Sequence, residues 1–293
     1  MSVYEEIVSR KPVEKGWSGD KKYCAVAADG SKYLLRVSTM DRYDRRKQEY
    51  ARMKELEKLD ISMPKALELG IAQEGVYILT TWIDGEDAGD VLQNLPSDTQ
   101  YRYGLDAGQM LQKLHSIPAP PDAPDWELRF NAKIDRKISM YNECPLKYEK
   151  GELLLSYLAE NRQLLANRPQ TYQHGDYHTG NMMLGRDGNL YIIDFDRYDF
   201  GDPWEEFNRI VWCVQDAPEF AWGLVDGYFE GNVPEAFWRL LLLYISSNTL
   251  GSLPWAVPYG EEQINVMTDQ WVDIRSWYDD FRRIIPTWYR KEA

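Results

Sequence analysis

Cysteine, basic charge and long apolar runs are scarce in this chain, and each shortage excludes something. The 293 residues hold three cysteines, Cys24, Cys144 and Cys213, odd in number and far apart. There is no CxxC pair and no Cys/His cluster, so a disulfide framework and a zinc ribbon are both excluded and reduced thiols are expected. No apolar run reaches the length of a membrane span. The opening segment MSVYEEIVSRK lacks an apolar h-region, so the expectation is a cytoplasmic protein without a secretory signal. The pattern GxxxxGK[ST] is missing, which excludes a Walker A loop. Internal repeats and low-complexity segments are absent too. Lys and Arg number 34 against 47 Asp and Glu, a net charge of -13, and such acidity argues against a nucleic-acid partner.

The acidity is uneven. Residues 1–83 carry a net +2, and residues 84–293 carry -15. A near-neutral first part and a strongly acidic second part fit a nucleotide site followed by a site for a cationic substrate; a plain solubilising surface accounts for the charge equally well. The length suggests two domains or lobes, each able to bury a core.

The chemistry concentrates in one segment, HGDYHTGNMMLGRDGNLYIIDFD, residues 174–196. Two short apolar runs flank Asp187-Gly188, a strong hairpin signal. A turn centred on that dipeptide sets Asn181 beside Asp194 at the open end. An amide oxygen and a carboxylate side by side suit Mg²⁺, which takes oxygen ligands and keeps water and substrate phosphates. Asp176, five residues before Asn181, lies close enough to take a proton from a hydroxyl. An ordinary hairpin with surface Asp and Asn residues is the bland alternative. Zinc on His174, Asp176 and His178 is disfavoured, because the Gly-containing HGDYH is a loop and not a helical HExxH.

This constellation resembles the catalytic and metal loops of kinases. Its wording, HGD and IDFD, followed by Gly201-Asp202-Pro203, is most similar to the aminoglycoside phosphotransferase family. The resemblance implies an α+β, bilobal, protein-kinase-like fold: a small antiparallel β-sheet N-lobe with one helix over residues 1–83, then a larger, mainly helical C-lobe over residues 84–293 carrying the catalytic hairpin. It implies Asp176 as catalytic base, Asn181 and Asp194 as metal ligands, and ATP or GTP with Mg²⁺ as cofactors.

In the first lobe, Gly16-Trp17-Ser18-Gly19 precedes a strand, the turn Asp29-Gly30 and a second strand. A turn centred on Asp29-Gly30 pairs Arg36 with Tyr23, just below the Gly/Ser loop. Gly16, Ser18, Gly19 and Arg36 resemble the nucleotide loop and strand lysine of kinases, with Arg giving bidentate contacts where Lys gives a point charge. Residues 41–59 read as a helix, with Asp41 or Asp44 as N-cap. Glu49, Met53, Leu56 and Asp60 share one face. A carboxylate on that face needs a cation: Arg36 is the expected partner of Glu49, and a surface pair with Arg45 is the alternative. Two more strands flank Glu74-Gly75. By resemblance, the backbone of Thr81, Trp82 and Ile83 is the hinge that holds the purine edge.

The second lobe reads as helices at 98–115, 126–143, 149–166, 204–213, 216–230, 234–250 and 263–285. Asp202 and Pro203 cap the fourth of these. His115 and His174 read as structural. Most of the tryptophans lie from Trp126 onward and read as core, though ring faces also hold cations.

The expected activity is transfer of a γ-phosphate to a hydroxyl of a cationic, amino-bearing small molecule, an aminoglycoside-like or basic peptide antibiotic, with antibiotic resistance as the associated role. Asp199, Glu205, Glu206 and Asp216 are the candidate acids for that substrate. Kinases of choline, fructosamine or another metabolite alcohol share the scaffold, and a non-catalytic nucleotide sensor is the reading from another class. A protein kinase is disfavoured, because eight residues from Asp194 to Asp202 leave no room for a long activation segment.

Overall fold

A computed structural model describes residues 2–14 and 19–290. In chain order its strands are β1 (Ile7–Pro12), β2 (Lys21–Ala27), β3 (Lys32–Ser38), β4 (Ala66–Ala72), β5 (Gly75–Thr81), β6 (Gly85–Asp87), β7 (Thr171–Gln173), β8 (Met182–Gly185), β9 (Leu190–Ile192) and β10 (Asp199–Gly201). Helix α1 (Tyr43–Leu56) lies between β3 and β4. Helices α2 (Ala88–Leu92), α3 (Ser97–Leu114), α4 (Trp126–Glu143) and α5 (Glu152–Asn161) precede β7. Helices α6 (Ile210–Asp216), α7 (Pro218–Phe229), α8 (Glu235–Ala256) and α9 (Glu261–Trp277) follow β10. The class is α+β, as expected.

The chain forms two compact units. The first joins Met1–Ala88 to Asn181–Asp196, and the second joins Gly89–Gly180 to Arg197–Ala293. The break falls at 88 and not at 83, and the hairpin expected in the second lobe groups with the first unit. Backbone pairing accounts for both differences. Strand β6 pairs with β8, Gly85 opposite Gly185, and the Ile192 N–H donates to Ser62 O at 2.9 Å.

The first unit is built on an antiparallel sheet of order β1-β2-β3-β5-β4. Side chains alternate across a strand. Leu35 and Val37 therefore enter a core with Ala25, Tyr77 and Leu79, while Arg36 points to the opposite face. Helix α1 buries Arg46, Glu49, Met53 and Leu56. It starts from a 3₁₀ turn at Met40–Arg42 without a side-chain cap, so neither Asp41 nor Asp44 caps it.

Both Asp-Gly hairpins are one residue out of the expected register. Arg36 pairs with Lys22, not Tyr23, and Met182 pairs with Ile192, which sets Asn181 opposite Ile193 and not Asp194. Each loop has three residues instead of two. Gly30 and Gly188 take left-handed φ values of 88° and 81°, the third position of a type I turn with a bulge. The Asp before each glycine accepts from the residue after it: Ser31 N–H to Asp29 at 2.9 Å and Asn189 N–H to Asp187 at 3.1 Å.

In the second unit α3 and α7 meet through glycine. A Cβ at Gly223 would lie 2.1 Å from Tyr101 O, and at Gly104 it would lie 2.2 Å from Phe220 O. Gly108 and Gly227 repeat the contact one turn on, at 2.3 Å each from the Leu224 and Leu105 carbonyl oxygens. Gly104 and Gly108 are thereby buried together with Ala107, Met110, Leu111 and Leu114. Helix α8 is also a correction. Glu235–Tyr259 is long and apolar enough to cross a membrane by length and composition, but 67% of its most apolar window is buried inside the protein, so its hydropathy serves the core.

Gly223→Ala tests the helix contact. Alanine favours a helix by roughly 1 kcal/mol over glycine, but here the obstructing atoms are backbone and cannot rotate away. Overpacking should win, with a net loss of about 1–3 kcal/mol, read as a lower urea midpoint at unchanged m-value.

Candidate active site

The first unit centres on the Arg36 guanidinium. Its Nε donates to Asp20 Oδ2 at 2.7 Å, Nη1 to Glu49 Oε1 at 3.1 Å and Nη2 to Asp196 Oδ2 at 2.9 Å. Asp194 Oδ1 stands 3.8 Å from Nη1. The expected Arg36–Glu49 pair is present, within a larger cluster. The neighbour of Glu49 on its own helix is Arg46, one turn away and fully buried, and not Arg45, which reaches Asp196 at 3.0 Å. Arg46 also lies 3.3 Å from Asp20 and 3.2 Å from Asp196. Two buried guanidiniums thus face three largely buried carboxylates, and Arg42 and Arg45 reach in from the surface. Burial raises the Glu49 carboxyl above its usual range, Arg36 and Arg46 pull it back, and Asp196 and Asp194 add to the rise. Burial works against the Arg36 charge, but Glu49, Asp196, Asp194 and Asp20 more than reverse that. Of the five N–H donors of an Arg, three are taken by Asp20, Glu49 and Asp196, which leaves two beyond these bonds.

At the open end of the β8–β9 hairpin, Ile193 N–H donates to Asn181 O at 3.0 Å. Asp194 follows with φ 64°, and its side chain is 38% exposed. Among the described residues no group of three or more His, Cys, Asp or Glu side chains could hold a metal. One amide oxygen and one carboxylate fit a Mg²⁺ that completes its shell with water and phosphate; they do not fit a metal that needs a full protein cage.

Gly16 and Ser18 lie outside the described residues; Gly19 is exposed, with open space around it. Thr81 donates its N–H to Lys65 O at 3.0 Å and accepts from Lys65 N–H on Oγ1 at 2.9 Å. That N–H is therefore unavailable to a purine; Trp82 and Ile83 lie just past the end of β5.

In the second unit the HGDYHT loop is held at almost every residue. Gly175 has φ 85°, and a Cβ there would lie 2.1 Å from Arg197 O. Its N–H is shared by both oxygens of Glu206, at 3.0 and 3.1 Å. Tyr177 OH donates to Ala107 O of α3 at 2.7 Å, and Thr179 Oγ1 donates to Asp216 at 2.6 Å. The Asp176 carboxylate meets Arg209 Nε at 3.1 Å, Arg197 Nη1 at 3.2 Å and His178 Nε2 at 3.6 Å. Burial alone would raise its pKa. The neighbouring His178 and the two arginines overcome that and hold the carboxyl far below its usual range. His115 is packed structurally, with Nδ1 2.9 Å from Tyr228 OH.

The four acids expected to face substrate divide. Glu206 is buried and occupied by Gly175, and Asp216 is occupied by Thr179; both brace the loop, which corrects their expected role. Glu205 pairs with Lys133 at 2.9 Å, and Asp199 pairs with Arg129 at 3.1 Å. These two line clefts beside the loop. Asp202 is fully buried, capping Trp204 N–H at 3.0 Å, holding Arg168 at 2.6 and 3.0 Å and accepting from Tyr244 OH at 2.6 Å. Reasoning from sequence missed Arg46, Asp20, Asp196, Arg197 and Arg209. The first had a signal, since Arg46 sits one turn before Glu49.

A family model described as the phosphotransferase enzyme family matches residues 9–239. The chain belongs to that family. It is accordingly a phosphotransferase. No curated protein sequence matches it. Among solved structures, the gentamicin complex of APH(2")-IIa is 18% identical, with 92% of this chain and 95% of that one covered and a TM-score of 0.64. A thermostable mutant of aminoglycoside phosphotransferase APH(4)-Ia, in ternary complex with ADP and hygromycin B, is 16% identical, with 92% and 93% covered and a TM-score of 0.66. The GDP complex of aminoglycoside 2'-phosphotransferase-IIIa is 16% identical, with 90% and 91% covered and a TM-score of 0.66. At these identities the likeness shows that this phosphotransferase shares their kinase-like fold.

Two outcomes follow from the charges. Arg46→Met leaves Glu49 and Asp196 short of a buried cation and should cost about 3–5 kcal/mol, measured by urea unfolding. A depressed carboxyl stays charged until the pH falls through its lowered pKa. Protonation of Asp176 should therefore put no acid limb on kcat/KM above the ordinary value of 3.8. Arg209→Leu removes one cation, and any acid limb should then move to higher pH in a pH–rate profile.

Proposed function

We propose that this phosphotransferase moves the γ-phosphoryl group of ATP or GTP to a hydroxyl of a small molecule. The observation that carries the reading is the Asp176 carboxylate, kept ionised by Arg197 and Arg209 on a loop braced by Glu206 and Asp216. A carboxylate so strongly held is a weak base. Its work is to orient the acceptor hydroxyl and take the proton late, when bond making to phosphorus has acidified it.

Asn181 and Asp194 are assigned to Mg²⁺, which when bound neutralises charge on the β- and γ-phosphates. The two remaining N–H groups of Arg36 are assigned to phosphate oxygens, with Glu49, Asp20 and Asp196 fixing the guanidinium plane. Gly16, Ser18 and Gly19 are assigned to the phosphate loop, and Trp82 and Ile83 to the purine edge. Catalysis is then positioning plus electrostatics. ATP, GTP and Mg²⁺ are cytoplasmic, which supports that location for the enzyme.

Relatives solved with gentamicin and hygromycin B and the -15 charge of residues 84–293 would point to an amino-bearing acceptor of the aminoglycoside kind and a role in resistance, but an acceptor is chosen by the walls of its own site. The walls nearest Asp176 carry the opposite sign.

Transfer of labelled γ-phosphate from ATP and GTP to a panel of hydroxyl compounds tests the activity. EDTA should abolish transfer and Mg²⁺ restore it. Asp176→Asn and Asp194→Ala should each lower kcat by about 10²–10³ or more with circular dichroism unchanged; near-normal turnover in either folded variant would refute the assignment.

A further inference from the structure

Two clefts of about 430 and 340 Å³ lie side by side in the second unit, sharing Lys133, Gln173, Asp199 and Glu205 as lining, and Gly175 lines the smaller. That is the size range of sites for small metabolites. Helix α4 supplies one wall. Its Arg129, Lys133, Arg136 and Lys137 fall at steps of four, three and one, which places them on one face. Arg197 and Arg209, the two partners of Asp176, complete the lining on the loop side. Against these six cations the clefts present only two carboxylates, Asp199 and Glu205.

The carboxylates are already occupied. Asp199 holds Arg129 at 3.1 Å and Glu205 holds Lys133 at 2.9 Å. Arg136 and Lys137 have no hydrogen bond or ion pair among the described residues. The Lys137 stem packs on Gly251 of α8, whose absent Cβ leaves it room, so the ammonium cannot swing freely to bulk water. Burial pushes its pKa down to about 7; Lys133, Arg209 and Arg136 push the same way, and only Glu205 opposes them. A half-buried ammonium beside three further cations, with Glu205 as the one carboxylate opposing them, is held at a cost, and a bound anion offsets that cost.

An amino-bearing acceptor would add a further cation to this wall. We infer that the acceptor carries a phosphate or carboxylate group beside its hydroxyl, and that Lys137, helped by Arg136 on the wall of the adjoining cleft, binds that group beside the loop that carries Asp176. The word acceptor rests on the kinase reading; the anion site rests on the cleft itself. The excess acid of the second unit then lies elsewhere on its surface and does not select the substrate.

Hydroxyl compounds of similar size and different charge separate the possibilities: glycerol 3-phosphate, glycerate, glycerol and ethanolamine. Each is titrated calorimetrically into the whole protein saturated with Mg-ADP, so that the nucleotide site cannot supply the anion contact. Glycerol 3-phosphate or glycerate should bind at least tenfold tighter than ethanolamine, and the tighter of the two anions identifies the preferred group. Lys137→Met combined with Arg136→Gln should weaken that anion at least tenfold. The milder Lys137→Met alone, with Mg-ADP binding read on the same sample, guards against misfolding. Tighter binding of ethanolamine than of either anion, or an unchanged anion Kd in the folded double variant, would overturn the inference. Anion binding without any Mg-ADP binding by the unmodified protein would instead remove the kinase reading and leave the anion site standing.

Discussion

The Arg36 guanidinium is the constraint on which the first unit depends. It stands on the face of β3 opposite the apolar core and draws together three chain segments remote in sequence. Asp20 comes from the approach to β2, Glu49 from α1 and Asp196 from the end of the β8–β9 hairpin. Buried charges are tolerated only when paired and hydrogen-bonded, so the cation and its three carboxylates hold one another in place. Arg46 doubles the arrangement from the helix. The hairpin that ends in Asp194 is thereby fastened to the sheet and helix, although over ninety residues of chain separate it from them.

The second unit solves a different problem, that of fixing a loop whose backbone is partly left-handed. Gly175 can adopt its conformation against Arg197 O because it has no Cβ. Glu206 then takes the N–H that the turn leaves unpaired, and Asp216 and α3 fasten the residues that follow. The loop is held largely by side chains from the 3₁₀ segment Pro203–Arg209 and α6, which Asp202 starts. The Gly201-Asp202-Pro203 tripeptide therefore bears on chemistry indirectly: it aims Glu206 and Arg209. Charge is local in the same way. The unit is strongly acidic as a whole, yet the clefts beside the Asp176 loop are lined by one cationic face of α4 and by Arg197 and Arg209.

Much of this was legible in the chain. The long periodic helices α3, α4, α7, α8 and α9 and the strands β2 to β5 follow from apolar spacing, and the partnership of Arg36 with Glu49 follows from the need to pair a buried carboxylate. The misses share physical causes. Both hairpins slipped by one residue because an Asp-Gly pair serves two-residue and three-residue loops alike, and the decision lay in a side-chain hydrogen bond from Asp to the residue beyond glycine. Strands β6, β7 and β10 are only three residues long and exist because a partner strand is in place. Glu206 looked like a substrate acid because composition cannot tell a solvent-facing carboxylate from one bonded to a backbone N–H.

By itself the sequence determined which groups can do chemistry: an Asp on a glycine-kinked loop, an Asn and an Asp at a hairpin's open end, and an Arg on a strand opposite a helical Glu. Their chemical types are set by covalent structure, and their local spacing by backbone geometry. Only the tertiary structure decided which charges meet. It brought Asp20 and Asp196 to Arg36, set Arg197 and Arg209 on Asp176, and left Lys137 and Arg136 on the walls of adjoining clefts with no ion pair among the described residues. Electrostatic energy depends on separation in space, and chain position does not specify that separation across a fold.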